Sequence, residues 1–319
     1  MESLAGLAFT AALRLDPLRH RPMVVSDLLA RAAAELANAR RVRDRLPDAA
    51  AGIAQAIGYW RRGSRSPQLL GEIAEYASAV LCHLRRFPEA LEILDAEIRL
   101  FEERGDTRRA GKALVTRAVY TGYANDPRSA IELLCRAMDM MDPGRDSELL
   151  LSAGHSIVWF MTDLGWFEAA RSYAPLLRRL YEAGASNRLN ILRLEWLEAR
   201  IHAGVGERAQ AEEILRAVRR GFSDAGLAFP AALVAVDLAL VWFDEGLFGD
   251  IEALAGELLG TFQALAVPRE GIAAMLLVEA AARARQAAAV RRALRAAARL
   301  LPSLSPVVGQ RRIIPPAGS

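Results

Sequence analysis

A chain whose markers return every 40 or 41 residues is built by stacking copies of one small unit, and this sequence keeps such a beat along most of its length. The pattern is fullest in LGWFEAARSYAPLLRRLYEAG, residues 164–184, where a glycine and an aromatic lead into an amphipathic run. The alanine at its centre is one of a series: Ala49, Ala90, Ala130, Ala170, Ala211 and Ile251 lie 41, 40, 40, 41 and 40 residues apart. Trp60, Phe101, Met141, Tyr181, Phe222 and Phe262 keep the same intervals and each closes a helical stretch. Twelve positions ahead of the alanines stand Ala37, Ser78, Ala118, Val158, Ala199 and Ala239, small enough for two helices to approach closely. Each unit reads as a longer helix, a turn, a shorter helix and a second turn. No alternating strand pattern survives, so the expected class is all-α.

The punctuation agrees. Ser66-Pro67 and Asp126-Pro127 each offer a capping side chain followed by a proline at the first helical position, and Pro88 stands near another helix start. Gly105, Gly144, Gly165, Gly184, Gly206, Gly226 and Gly246 fall in turns. Residues 4–15 form a helix like the second half of a unit, ended by Pro17, and Ser26-Asp27 caps a helix running to about Val42. Residues 1–22 are thus an N-terminal half-repeat helix and linker, 23–301 the array, and 302–319 a flexible, basic tail rich in proline and serine. Glu279 stands where a small residue is expected and marks the array's end, its last helix being Ala287 to Leu301.

A helix pair with a small residue in its first helix, a glycine or polar turn, then an aromatic and Glu-Ala resembles the tetratricopeptide repeat. Ala12-Leu13-Arg14-Leu15-Asp16-Pro17 matches that family's closing motif. The similarity covers about residues 4–300, but the period exceeds the usual ~34 residues, and the tryptophan and tyrosine customary in each first helix are missing. The longer period is similar to sensor regions of bacterial transcriptional activators, although no DNA-reading helix-turn-helix is identifiable. The resemblance implies a right-handed α-solenoid of about six to seven helix hairpins with a concave groove lined by the first helices.

The net charge of +3 conceals an asymmetry. Residues 281–319 hold eight arginines and no acid, leaving −5 on residues 1–280. Cys82 and Cys135 sit in apolar helical patterns without metal or redox spacing, which makes them small core residues of a reducing compartment. The first apolar run lacks a basic leader, and the longest later one, Ala231 to Phe243, is interrupted by Asp237 and too short to span a bilayer. A cytoplasmic chain that meets no membrane is expected. The four histidines are scattered without helical ligand spacing, phosphate loops and nucleophile elbows are absent, and adjacent carboxylates face apart. The chain therefore reads as non-enzymatic, without metal or cofactor.

With the family's inner-face positions carried over by register, the resemblance implies a groove that holds Lys112, Tyr123, His155, Trp159, Arg193, Trp196 and Arg200, with acids on one neighbouring unit. Aromatic residues flanked by arginine suit an extended or helical peptide with apolar anchors and an acidic group. A slip of one position would instead place Trp159 and Trp196 between helices, so both readings stand. Arg291, Arg295 and Arg299 share a face of the last helix with Arg292 beside it. They serve either as a solvated cap or as a contact for nucleic acid or an acidic protein, although no aromatic interleaves for base stacking. The expected partner is another protein or peptide. The alternative is a sensory or regulatory subunit of a bacterial transcriptional or defence system that touches nucleic acid through these arginines. Self-association through the array's ends is open.

Overall fold

The computed structural model describes residues 2–15, 19–43, 45–184, 187–264 and 269–304. Among them are fifteen helices and no strand. They fall into two compact units, Met1–Ala124 and Asn125–Ser319. The proposed tail at 302–319 and Asp16-Pro17 of the closing motif lie largely or wholly outside the described residues.

The first unit contains α1 (Glu2–Leu13), α2 (Pro22–Val42), α3 (Leu46–Arg62), α4 (Pro67–His83), α5 (Phe87–Glu102) and α6 (Thr107–Tyr123). Hairpins α2–α3 and α4–α5 stack through α2 on α4 and α3 on α4, and α6 follows on α5. A Cβ added to Gly52 would lie 2.9 Å from that of Ala37, which is how closely α2 and α3 approach. Ser66 and Asp106 cap α4 and α6 by accepting the backbone N–H groups of Leu69 and Arg109. The expected cap at Ser26-Asp27 is corrected: α2 starts at Pro22, whose missing N–H suits a first-turn position, and carries straight through Ser26. Asp27 instead accepts the Ser64 N–H at 2.9 Å, pinning the turn after α3.

The second unit contains α7 (Pro127–Asp139), α8 (Ser147–Asp163), α9 (Phe167–Gly184), α10 (Arg188–Gly204), α11 (Arg208–Asp224), α12 (Ala228–Asp244), α13 (Phe248–Ala264), α14 (Arg269–Arg283) and α15 (Ala287–Leu304). First helices α8, α10 and α12 each have 17 residues, and second helices α9, α11 and α13 have 18, 17 and 17, so the expected long-short alternation is absent here. The third expected hairpin, α6 with α7, is divided between the two units.

The periodic residues form the core. Ala49, Ala90, Ala130, Ala170, Ala211 and Ile251 are fully buried, as are Ala37, Ser78, Ala118, Val158 and Ala199, with Ala239 at 4% exposure. Phe101, Met141, Tyr181, Phe222 and Phe262 are buried as well. Burying a large apolar side chain contributes about 1.5–3 kcal/mol, and a repeat array collects that sum from nearest neighbours alone. Gly165, Gly206 and Gly246 adopt positive φ after α8, α10 and α12, and the next residue's N–H reaches back to Met161, His202 and Trp242. Gly144 departs from the expected left-handed turn: its loop is closed by Asp142, whose carboxylate accepts the Gly144 and Arg145 N–H groups.

The last unit, where Glu279 stands in place of a small residue, still keeps the beat. Val278, Val290 and Leu301 are buried and lie 39 residues after Ala239, Ile251 and Phe262, so the beat shortens by one residue and continues. This last hairpin packs differently from those before it. In α2–α5 the first helix of one hairpin rests on the first of the next, whereas α14 packs on α13 and α15, and α15 packs on α12. The four helices α12 to α15 thus close a ring, which explains why α12 buries thirteen of its 17 residues.

Candidate functional site

In the first unit, polar side chains pair with one another from repeat to repeat, Lys112 of the expected groove among them. Arg31 Nε donates to Glu72 at 3.0 Å, Tyr76 OH to Glu35 at 2.8 Å and Lys112 Nζ to Glu75 at 2.6 Å. Arg41 donates to Asn38 and, at 3.1 Å, to His83 Nε2. Arginine cannot accept, so that nitrogen is the acceptor of a neutral ring. Burial, with Arg41 adding to it, holds the His83 pKa down at about 3. Burial, then the charge of Glu75, pushes Glu97 up to about 8 against the pull of Lys112. Tyr123 is half-buried against the Cys82, Phe87 and Tyr120 cluster.

In the second unit, α8, α10 and α12 bring His155, Trp159, Arg193, Trp196 and Arg200 together. Trp159 and Trp196 meet edge to face at 5.0 Å between centroids, and Trp196 meets Phe222 at 6.1 Å. His155 lies beside Trp159, and its Nδ1 shares a hydrogen bond with the Tyr181 hydroxyl at 2.9 Å. Trp196 is corrected from groove to core: it is 3% exposed, and its indole N–H donates to Asp237 at 2.7 Å. The reason is register, because Asp237 is the acceptor one repeat further on and a ring of that size bridges the two helices. Trp159 is half-buried, with the Arg200 guanidinium 4.0 Å from its ring centroid. Arg200 also donates to Asp163 at 2.5 Å. Burial works against the Arg200 charge, yet Asp237 and Asp163 outweigh it and raise its pKa. Burial raises that of Asp237, opposed by Arg200 and the Trp196 hydrogen bond. Asp237 was legible only as a break in an apolar run, and Tyr181 only as a core marker. The spacing of Trp196 to Asp237, one full period, was the available signal.

Burial, then the charges of Arg193 and Arg200, holds His155 at about pKa 3 against an ordinary 6.5. Below about pH 6.5 the unfolded chain takes up a proton that the folded chain refuses, so stability falls as pH drops from there towards 3. The loss amounts to about 2 kcal/mol at pH 5. His155→Gln, which cannot be charged, should make that limb shallower in urea titrations, the remaining slope including the like contribution of His83. An unchanged acid limb would mean that the ring charges freely in the folded protein.

Outside this cluster, a groove of about 520 Å³ runs between α9 and α11 over α10, with Arg171, Arg178, Glu198 and His202 in its walls. Arg178 pairs there with Glu198, and Glu207 accepts from both Arg171 and His202. On α15, Arg291, Arg292, Arg295 and Arg299 are all exposed, opposite the buried Val290, Leu294, Ala297 and Leu301. Arg291 lies 4.9 Å from the Phe243 ring and 3.9 Å from Asp244, while the other three make no ion pair with a described residue. No described helix is long and apolar enough to cross a membrane, and no group of three or more metal-binding side chains gathers among the described residues.

No family model and no curated protein matches this sequence. The fold has neighbours among solved structures. Aspartyl phosphate phosphatase F from Bacillus subtilis superposes with a TM-score of 0.63 at 14% identity, over 73% of this chain and 60% of that one. This chain therefore spans less than two thirds of that neighbour's length. A Rap protein complexed with competence and sporulation factor gives 0.59 at 12% identity, over 90% of this chain and 81% of its own. BtubC from P. vanneervenii gives 0.58 at 14% identity, covering 70% and 91%. Identities this low speak for architecture only, and with the buried periodic residues they establish that the chain has a tetratricopeptide-like helical-repeat fold.

Proposed function

We propose that this chain is a non-enzymatic scaffold that binds another protein or a peptide on the inner faces of its first helices. The observation that carries the reading is the aromatic platform of the second unit. Trp159 is half-open, while the groups beneath it, Trp196, Tyr181 and Asp237, are locked by hydrogen bonds and burial. A rigid aromatic surface loses little entropy on binding, which is why such residues dominate hot spots. The acidic ligand group expected from sequence would meet the positive charge of Arg193 and Arg200, the second of which is held in place by its hydrogen bond to Asp163. One structural neighbour is complexed with competence and sporulation factor, which supports a peptide or protein as the guest.

The test uses Ser152, half-buried on α8 one turn before His155. Ser152→Arg adds bulk to the inner face without opening the core. A tagged chain should recover a defined partner from its native host, and Ser152→Arg should abolish recovery while leaving the urea midpoint within about 0.5 kcal/mol of the parent. Undiminished recovery by that variant would remove the inner face from consideration.

A second reading rests on the exposed Arg292, Arg295 and Arg299. Contact with nucleic-acid phosphates there would make the chain a regulatory subunit. Binding would then weaken steeply between low and moderate salt and vanish when all three are changed to glutamate.

A further inference from the structure

Nothing local between Gly271 and Pro302 tells the chain to turn. The thirty residues 272–301 hold no glycine and no proline and are rich in alanine, arginine and leucine, the strongest helix formers. Yet helix stops at Arg283 and restarts at Ala287. The reversal places Arg285 at φ +50°, a conformation unfavourable for any residue with a Cβ. The equivalent turns are better provided. Gly165, Gly206 and Gly246 occupy that place in three of them, and where Arg85 does so, Pro88 stops the helix from running through. The last hairpin is therefore closed by packing against the preference of its own sequence.

That packing is α15 on α12. Val290, Leu294, Ala297 and Leu301 share one core with Leu233 and Val236 of α12, and Arg291 sits against Phe243 at the end of that helix. We propose that α14 and α15 form a hinged arm. Residues 284–286 join the helix, α15 swings away, and the face it leaves on α12 receives α15 from a second copy of this chain. The exchange is reciprocal, giving a domain-swapped dimer in which α15 regains from the other copy the packing it had on α12 and α14. Opening removes the left-handed arginine and extends a favoured helix, while association costs freedom, so protein concentration sets the balance.

The experiment measures mass by light scattering from micromolar to millimolar full-length chain, with two variants. Arg285→Gly relieves the closed turn and interrupts the open helix, so it should raise the dimer dissociation constant roughly thirty-fold or more. Deleting residues 284–286 leaves α15 no way back and should give a dimer at every concentration with the helical signal of the parent. A parent chain that stays monomeric throughout overturns the proposal, as does a dimer indifferent to Arg285→Gly or a deletion variant that remains a folded monomer. Ser152→Arg should leave the dimer unchanged, which keeps this result separate from that of the inner face.

Discussion

Replacing Asp237 by alanine is expected to cost about 3 kcal/mol at neutral pH. The buried Trp196 N–H loses its acceptor, and Arg200, bonded to Asp163, loses the nearby Asp237 charge that supports its own. An unsatisfied buried donor alone costs about 1–3 kcal/mol. Asp237→Asn retains an acceptor for the indole but removes the charge, and should fall between parent and alanine variant. Urea midpoints at constant m-value measure both. A midpoint for Asp237→Ala within roughly 0.5 kcal/mol of the parent would show that the Trp196–Asp237–Arg200 network holds nothing together.

The second large effect concerns packing. Phe222 is 2% exposed and supports Trp196 edge to face, so Phe222→Ala should destabilise the second unit by about 3–5 kcal/mol. The equivalent position one repeat earlier but one is Met141, which is 8% exposed and lies beyond the last helical residue of α7. Met141→Ala should therefore cost less, near the lower end of the ~2–5 kcal/mol range for such truncations. Equal losses at the two sites would contradict the view that depth of burial, and not the repeat position as such, sets the energy.

The helical pairs were legible because a repeat writes its contacts into the sequence at fixed distance. Ala170 and Val158 could be placed in the core without knowing anything beyond their own unit. Side-chain direction was harder, since one helical residue turns the chain through about 100°. That is why Trp196 was ambiguous from spacing and why its bond to Asp237 settled the matter. Glu279 breaks the pattern of small residues because the beat shortens there from 40 residues to 39, which moves the buried position to Val278. That α15 and not α14 lies on α12 could not be read at all, because two apolar helices of similar length compete for that place and only their mutual fit decides.

The boundary at Ala124 and Asn125 has a practical consequence. It falls between α6 and α7, at an exposed asparagine with φ of +75°, so a cut there severs no helix. Such a seam is where a gene could be divided to give two fragments for separate expression.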